Sequence, residues 1–172
     1  MPMTHAQADE LTGLLPDQYF FQAGAAQDTT TLTTGLIWQG NVGRFLGDGY
    51  LSLYWEVSLG RWSVDQPDGS TASSWVTQLG VTPVLRWSFG SGGRPWFVEG
   101  GIGANFLLPI YRSADRQFST TFNFGDHLGF GYRFGQNQDQ ELVLRVQHYS
   151  NGGIKRPNPG QDFLQLRYVV RF

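Results

Sequence analysis

The chain has 172 residues and a formal net charge of −2, with 15% aromatic and 15% charged residues, 23 glycines and no cysteine. Its length suits one domain, its charge offers no basic face for nucleic acid, and the lack of cysteine excludes a disulfide framework or a thiolate metal site. No run approaches the roughly 20 consecutive apolar residues of a membrane helix, whereas a membrane β-barrel, whose lipid-facing residues alternate with polar ones, stays open.

The first stretch, residues 1–17, reads as an N-terminal tail. Ala6-Gln7-Ala8 before Asp9 has the small-x-small pattern of a signal-peptidase site without the charged and apolar regions that precede one. The chain is expected to begin near the end of a signal peptide, with a short turn around Glu10–Leu15. From residue 18 to 172 the sequence breaks into extended runs separated by Gly, Pro, Asn, Asp and Ser. Eight strands are expected: Gln18–Ala26, Thr29–Gln39, Tyr50–Ser63, Ser73–Phe89, Pro95–Leu107, Ser119–Phe134, Gln140–Ser150 and Asp162–Phe172. The longer connections, "DQPDGSTA", "PIYRSADRQ" and "NGGIKRPNPG", all follow odd-numbered strands. Longer loops at one end and tighter turns at the other are the layout of an outer-membrane barrel.

Successive side chains of a strand point to opposite sheet faces. The third strand places Leu51, Leu53, Trp55, Val57 and Leu59 on one face and Ser52, Tyr54, Glu56 and Ser58 on the other. The fourth, fifth and eighth strands repeat this division. The polar faces mix Glu56 and Glu99 with Arg86, Arg133, Arg145 and Arg167, separated by glycines and with almost no lysine. Such a set suits a small lumen filled with neutralising pairs. Trp75 and Trp87 bracket the fourth strand, as interfacial aromatic girdles do. The fold class is therefore all-β, an eight-stranded antiparallel transmembrane barrel, whose interior at this strand number is just filled by side chains.

In the seventh strand Leu142, Leu144, Val146, His148 and Ser150 share the apolar face, which points outward to lipid. Asp162 opens the eighth strand on the register of Leu164 and Leu166, so it also points outward. A carboxylate, an imidazole and a hydroxyl thus gather at one rim. Each alone is an ordinary interfacial polar residue, because polar groups on a lipid face cost less near the interface. Together they have the identities of a hydrolase triad, in which serine needs a base and histidine needs a carboxylate to fix its tautomer.

"HYSNGGIKRPN" with the trailing "GQDF" resembles the lipid A 3-O-deacylases of Gram-negative outer membranes, the PagL family, whose H-x-S-N signature carries the catalytic His and Ser. "RPWFVEGGIGA" and "FNFGDHLGFGYRF" look like the family's fifth and sixth strands. The resemblance implies a barrel with its active site on the outer wall at the extracellular leaflet. It implies Ser150 as nucleophile acting on lipid A of lipopolysaccharide, His148 as base, and Asp162 in a position where the family typically has Glu. Asn151 and Gly153 are the expected oxyanion donors. No cofactor or metal is required by these residues, and His5 and His127 form no ligand cluster. Lys155, Arg156, Arg112 and Arg116 fall in outer loops, where they serve either as solvated charges or as contacts to lipid A phosphates. A phospholipid acyl hydrolase, a non-catalytic outer-membrane barrel and a soluble lipocalin-like carrier are the alternatives to this reading.

Overall fold

A computed structural model describes residues 15–90 and 93–172. The expected Ala6-Gln7-Ala8 site and all but Leu15 of the expected turn lie outside the described residues. The strands are β1 (Gln18–Ala26), β2 (Thr29–Leu46), β3 (Gly49–Val64), β4 (Trp75–Phe89), β5 (Trp96–Leu108), β6 (Phe122–Phe134), β7 (Gln140–Ser150) and β8 (Gln161–Arg171). They pair antiparallel in chain order, and β8 returns to β1 to close the barrel. Closure leaves no unpaired strand edge.

Most expected boundaries fall within two residues of those observed, and two differ by more. Gly40–Leu46 has the composition of a connection, yet it continues β2 beyond a register shift between Gln39 and Gly43, and the turn falls at Gly47 and Asp48. The bulge absorbs the extra residues while the ladder resumes at Gly43↔Ser52. At the other end of the barrel, residues 119–121 belong to the β5–β6 connection instead of opening β6. Of these, Ser119 braces the β7–β8 connection through its hydroxyl, which donates to the Lys155 carbonyl and accepts from Asn151.

The apolar faces read from the alternation point outward. Leu59, Leu79, Leu85, Ile102, Leu128, Leu144, Val146 and Leu166 are all exposed on the outer wall. Inside, Glu99 accepts from Arg86 Nη2 at 2.8 Å and from Arg145 Nη2 at 2.6 Å. Glu56 accepts from Arg167 Nη1 at 2.6 Å, and Glu141 from Arg86 Nη1 at 2.8 Å. A charged interior beneath an apolar exterior inverts a water-soluble protein and suits a barrel that crosses a bilayer. Each buried charge is tolerable only because an opposite charge and hydrogen bonds meet it. Glycines make room for the network: a Cβ at Gly131 would collide with the Phe97 ring, on which Arg86 and Arg133 stack.

The barrel mouth opposite the start of β1 and the end of β8 is plugged by aromatics. The β5–β6 connection folds back so that Tyr111 and Phe118 are buried against Trp62, Tyr149 and Phe163. The Trp62 ring lies 4.8 Å from that of Phe163 and 4.9 Å from that of Tyr149. Tyr111 also shares a 2.8 Å hydroxyl contact with Thr29. The adjoining β7–β8 connection is thereby seated on a firm base.

Candidate functional site

His148 and Asp162 are direct cross-strand partners on β7 and β8. Both side chains leave the barrel on its outer wall, and Nδ1 of His148 lies 2.6 Å from Oδ1 of Asp162. With the proton on Nδ1, donated to the carboxylate, Nε2 keeps its lone pair and is free to act as a base. The side chains are 40% and 72% exposed respectively, so the pair sits on the surface and not in the charged lumen. Ser150 is two positions along β7 from His148, hence on the same outer face.

The Ser150 hydroxyl accepts from the backbone N–H of Gly152 at 3.5 Å. No described hydrogen bond joins it to His148. Catalytic contacts of this kind are commonly loose without substrate and tighten around it.

The loop after Ser150 is organised by Asn151, which is buried. Its Nδ2 donates to Ser119 Oγ at 3.0 Å and to the Lys155 carbonyl at 2.7 Å. Its Oδ1 accepts from Gly153 N–H at 3.0 Å, and its own backbone N–H donates to Asn158 Oδ1 at 2.9 Å. The hydrogens of Asn151 Nδ2 and Gly153 N, the groups expected to face an oxyanion, are thus engaged within the loop. Gly152 N–H is the backbone donor beside Ser150. Of the four loop cations, Lys155, Arg156 and Arg112 are exposed, whereas Arg116 is half-buried and donates to the Gly160 carbonyl at 2.9 Å.

Asp126 is a residue that the sequence reading passed over. It is the cross-strand partner of His148 on the β6 side, and it too is exposed on the outer wall. Carboxylates therefore stand on both sides of the imidazole. The signal was present in β6, where Phe122, Phe124, Asp126, Leu128, Phe130 and Tyr132 share one face. A lone acid breaks that apolar series as His148 breaks the series in β7. Asp126 and His148 stand in a groove of about 740 Å³ that also includes Pro83, Gly100, Ile102, Leu128 and Val146. Gly100 and Pro83 present little side chain, so the wall is hollow between the larger residues.

The fold has a solved counterpart, and the chain has curated relatives. The crystal structure of the outer membrane enzyme PagL superposes with a TM-score of 0.75 at 27% identity, covering 90% of this chain and 99% of that one. A lipid A deacylase PagL of Bordetella bronchiseptica is 33% identical over 97% of this chain and 88% of its own length. The lipid A deacylase PagL of Pseudomonas aeruginosa is 29% identical over 77% of this chain and 69% of its own. The family model described as lipid A 3-O-deacylase (PagL) matches residues 30–171, a span that contains His148, Ser150 and Asp162. The chain belongs to the lipid A 3-O-deacylase (PagL) family.

Proposed function

We propose that this chain is an outer-membrane esterase that removes the 3-O-linked 3-hydroxyacyl chain of lipid A, with Ser150, His148 and Asp162 as its triad. The observation that carries this reading is the His148–Asp162 pair beside Ser150 on an apolar outer wall. A triad there meets lipid laterally, without a water-filled pocket. The site lies at the loop end of the barrel, opposite the start of β1 and the end of β8. With the start of β1 and the end of β8 on the periplasmic side, that end is extracellular, in the leaflet where lipid A resides.

Ser150 Oγ forms a bond to the ester carbonyl carbon while its proton passes to His148 Nε2. Asp162 holds the imidazolium through Nδ1. The developing oxyanion receives the Gly152 N–H, on a loop that Asn151 and Gly153 hold in place. Collapse breaks the ester C–O bond, and His148 returns the proton to the departing sugar 3-oxygen. Water, deprotonated by His148, then cleaves the acyl-serine and frees the 3-hydroxy fatty acid. The groove below His148 accommodates the acyl chain, and Asp126 offers an acceptor to the chain's 3-hydroxyl group. A carboxylate on a lipid-facing wall is costly unless a polar group meets it.

The test is mass spectrometry of purified lipid A incubated with detergent-refolded protein. Loss of one 3-hydroxyacyl group from the 3-position is expected, with none lost in Ser150→Ala or His148→Asn. Both variants should keep the heat-modifiable migration of a folded barrel. Intact lipid A beside hydrolysed phospholipid would replace this reading with the phospholipase one.

A further inference from the structure

The outer face of β3 contains a further break in the apolar wall. Trp55, Val57 and Leu59 are followed on that face by the exposed Arg61. Arg61 pairs in register with Leu32 on β2 and Thr77 on β4. Its Nη1 donates to Thr77 Oγ1 at 2.8 Å, and its guanidinium stands 5.2 Å from the centre of the Trp75 ring. A guanidinium has five N–H groups, and the described residues accept from one of them. Among the described residues, the lumen arginines Arg86, Arg145 and Arg167 each meet a glutamate at 2.8 Å or less, whereas Arg61 meets none.

Beside Arg61 an apolar groove of about 730 Å³ crosses the outer wall toward β1 and β8. Ala23 and Thr34 form a low floor between the taller Phe21, Leu32, Leu59 and Leu166. β3 is four strands from β7 in either direction around the closed ring, so Arg61 stands on the far side from the triad. Its depth nevertheless matches. Arg61 stands three residues before the end of β3 at Val64, and His148 two residues before the end of β7 at Ser150.

We infer that Arg61 and this groove form a second lipid site, which holds a phosphorylated glycolipid of the lipid A class without cleaving it. The phosphate meets the free N–H groups of Arg61 and the Thr77 hydroxyl, and one acyl chain lies over Ala23. Charge complementarity selects the anion, because an arginine on a lipid-facing wall is costly until an anion or the interface receives it. Depth selects the lipid. On the membrane orientation proposed above, on which this inference rests, Arg61 reaches the headgroup level of the leaflet that holds the substrate. Among the described residues that line the groove there is no histidine or carboxylate to activate a nucleophile.

The experiment uses the full chain in detergent, with Ser150→Ala to prevent turnover, titrated with bisphosphorylated lipid A and followed by native mass spectrometry. Two lipids per barrel are expected. Arg61→Gln should weaken one binding event at least tenfold and leave the other unchanged. Ala23→Leu, which fills the floor and keeps the arginine, should do the same, and it serves as the test if Arg61→Gln does not fold. With Ser150 intact, Arg61→Gln should deacylate micellar lipid A at the parent rate. Undiminished binding by both variants would overturn the site, as would equal competition by phosphatidylglycerol or by dephosphorylated lipid A. Arg61-dependent binding in a protein that proved unable to deacylate lipid A would uphold this site while the deacylase reading failed.

Discussion

Gly160 lies against the imidazole of His148: a Cβ built on Gly160 would fall 2.5 Å from Cε1 of the ring. Gly160 has φ +69°, a left-handed conformation that other residues adopt only with strain, and its carbonyl accepts from Arg116. The histidine is thus set between the carboxylate of Asp162 and a bare backbone. Gly160→Ala should displace the ring and reduce kcat about 10²-fold, the usual effect of moving a catalytic group by about 1 Å. Arg116→Gln should give a smaller loss. Steady-state deacylation by variants with folded migration on gels checks both, and an unchanged kcat in Gly160→Ala would remove the glycine from the positioning of His148.

Asp162→Asn should lower turnover about 10- to 10²-fold, less than the ~10⁴-fold seen where the triad acid is buried. The smaller factor follows from its exposure, since solvent or headgroups partly replace an exposed acid. Asp162→Glu should keep most of the activity, because the longer side chain still reaches Nδ1 from the neighbouring strand. Turnover by Asp162→Asn equal to that of the parent would take this carboxylate out of the triad.

Asp126 is expected to affect substrate choice more than proton transfer. Asp126→Ala should reduce kcat/KM for a 3-hydroxyacyl ester about tenfold or more, because its hydroxyl loses its acceptor, and change hydrolysis of the unhydroxylated ester little. Paired rates on the two synthetic esters provide the comparison. Equal losses on both would make Asp126 a partner of His148 instead.

Gly100 leaves the groove floor open. A Cβ there would come 3.1 Å from Leu128 Cδ2 and 3.3 Å from the His127 carbonyl oxygen, contacts relieved by a turn of the leucine and a backbone shift of a few tenths of an ångström. Gly100→Leu should therefore fold, fill part of the groove and shift preference toward shorter acyl chains. Each methylene excluded from apolar contact is worth about 0.8 kcal/mol. Chain-length profiles of released fatty acids measure the shift, and an identical profile would place the acyl chain elsewhere on the wall.

Glu99 accepts from Arg86, Arg145 and Tyr54 at the centre of the lumen. Glu99→Gln leaves two buried guanidiniums short of a counter-charge and should destabilise the barrel by about 3–5 kcal/mol, the usual cost of breaking a buried pair. Refolding and unfolding in urea, followed by the gel shift, reads this loss. Deacylation by the fraction that remains folded should be normal, since the lumen network does not touch the outer wall.

The strands of this protein are legible in its sequence because alternation is a local property. An apolar residue at every second position commits a strand to a two-faced sheet, and the mixture of Glu56 and Glu99 with Arg86, Arg145 and Arg167 marks the enclosed face. The same rule singles out His148 and Ser150, since their polarity conflicts with the series they belong to. Loop boundaries are less legible: Gly40–Leu46 has turn composition, and only pairing with β3 across a bulge makes it strand.

What the tertiary structure alone decided is register across strands and the use of each hydrogen. Sequence brings His148, Ser150 and Asp162 to one rim, but cross-strand pairing makes Asp162 the direct neighbour of His148 and sets Asp126 on its other side. Likewise Asn151 and Gly153 look like free donors until the loop closes and engages them. Arg61 and Gly160 take their meaning only from residues distant in the chain, Thr77 and His148. Alternation follows from the backbone geometry of one strand, whereas these contacts depend on how eight strands close on one another, which no local pattern encodes.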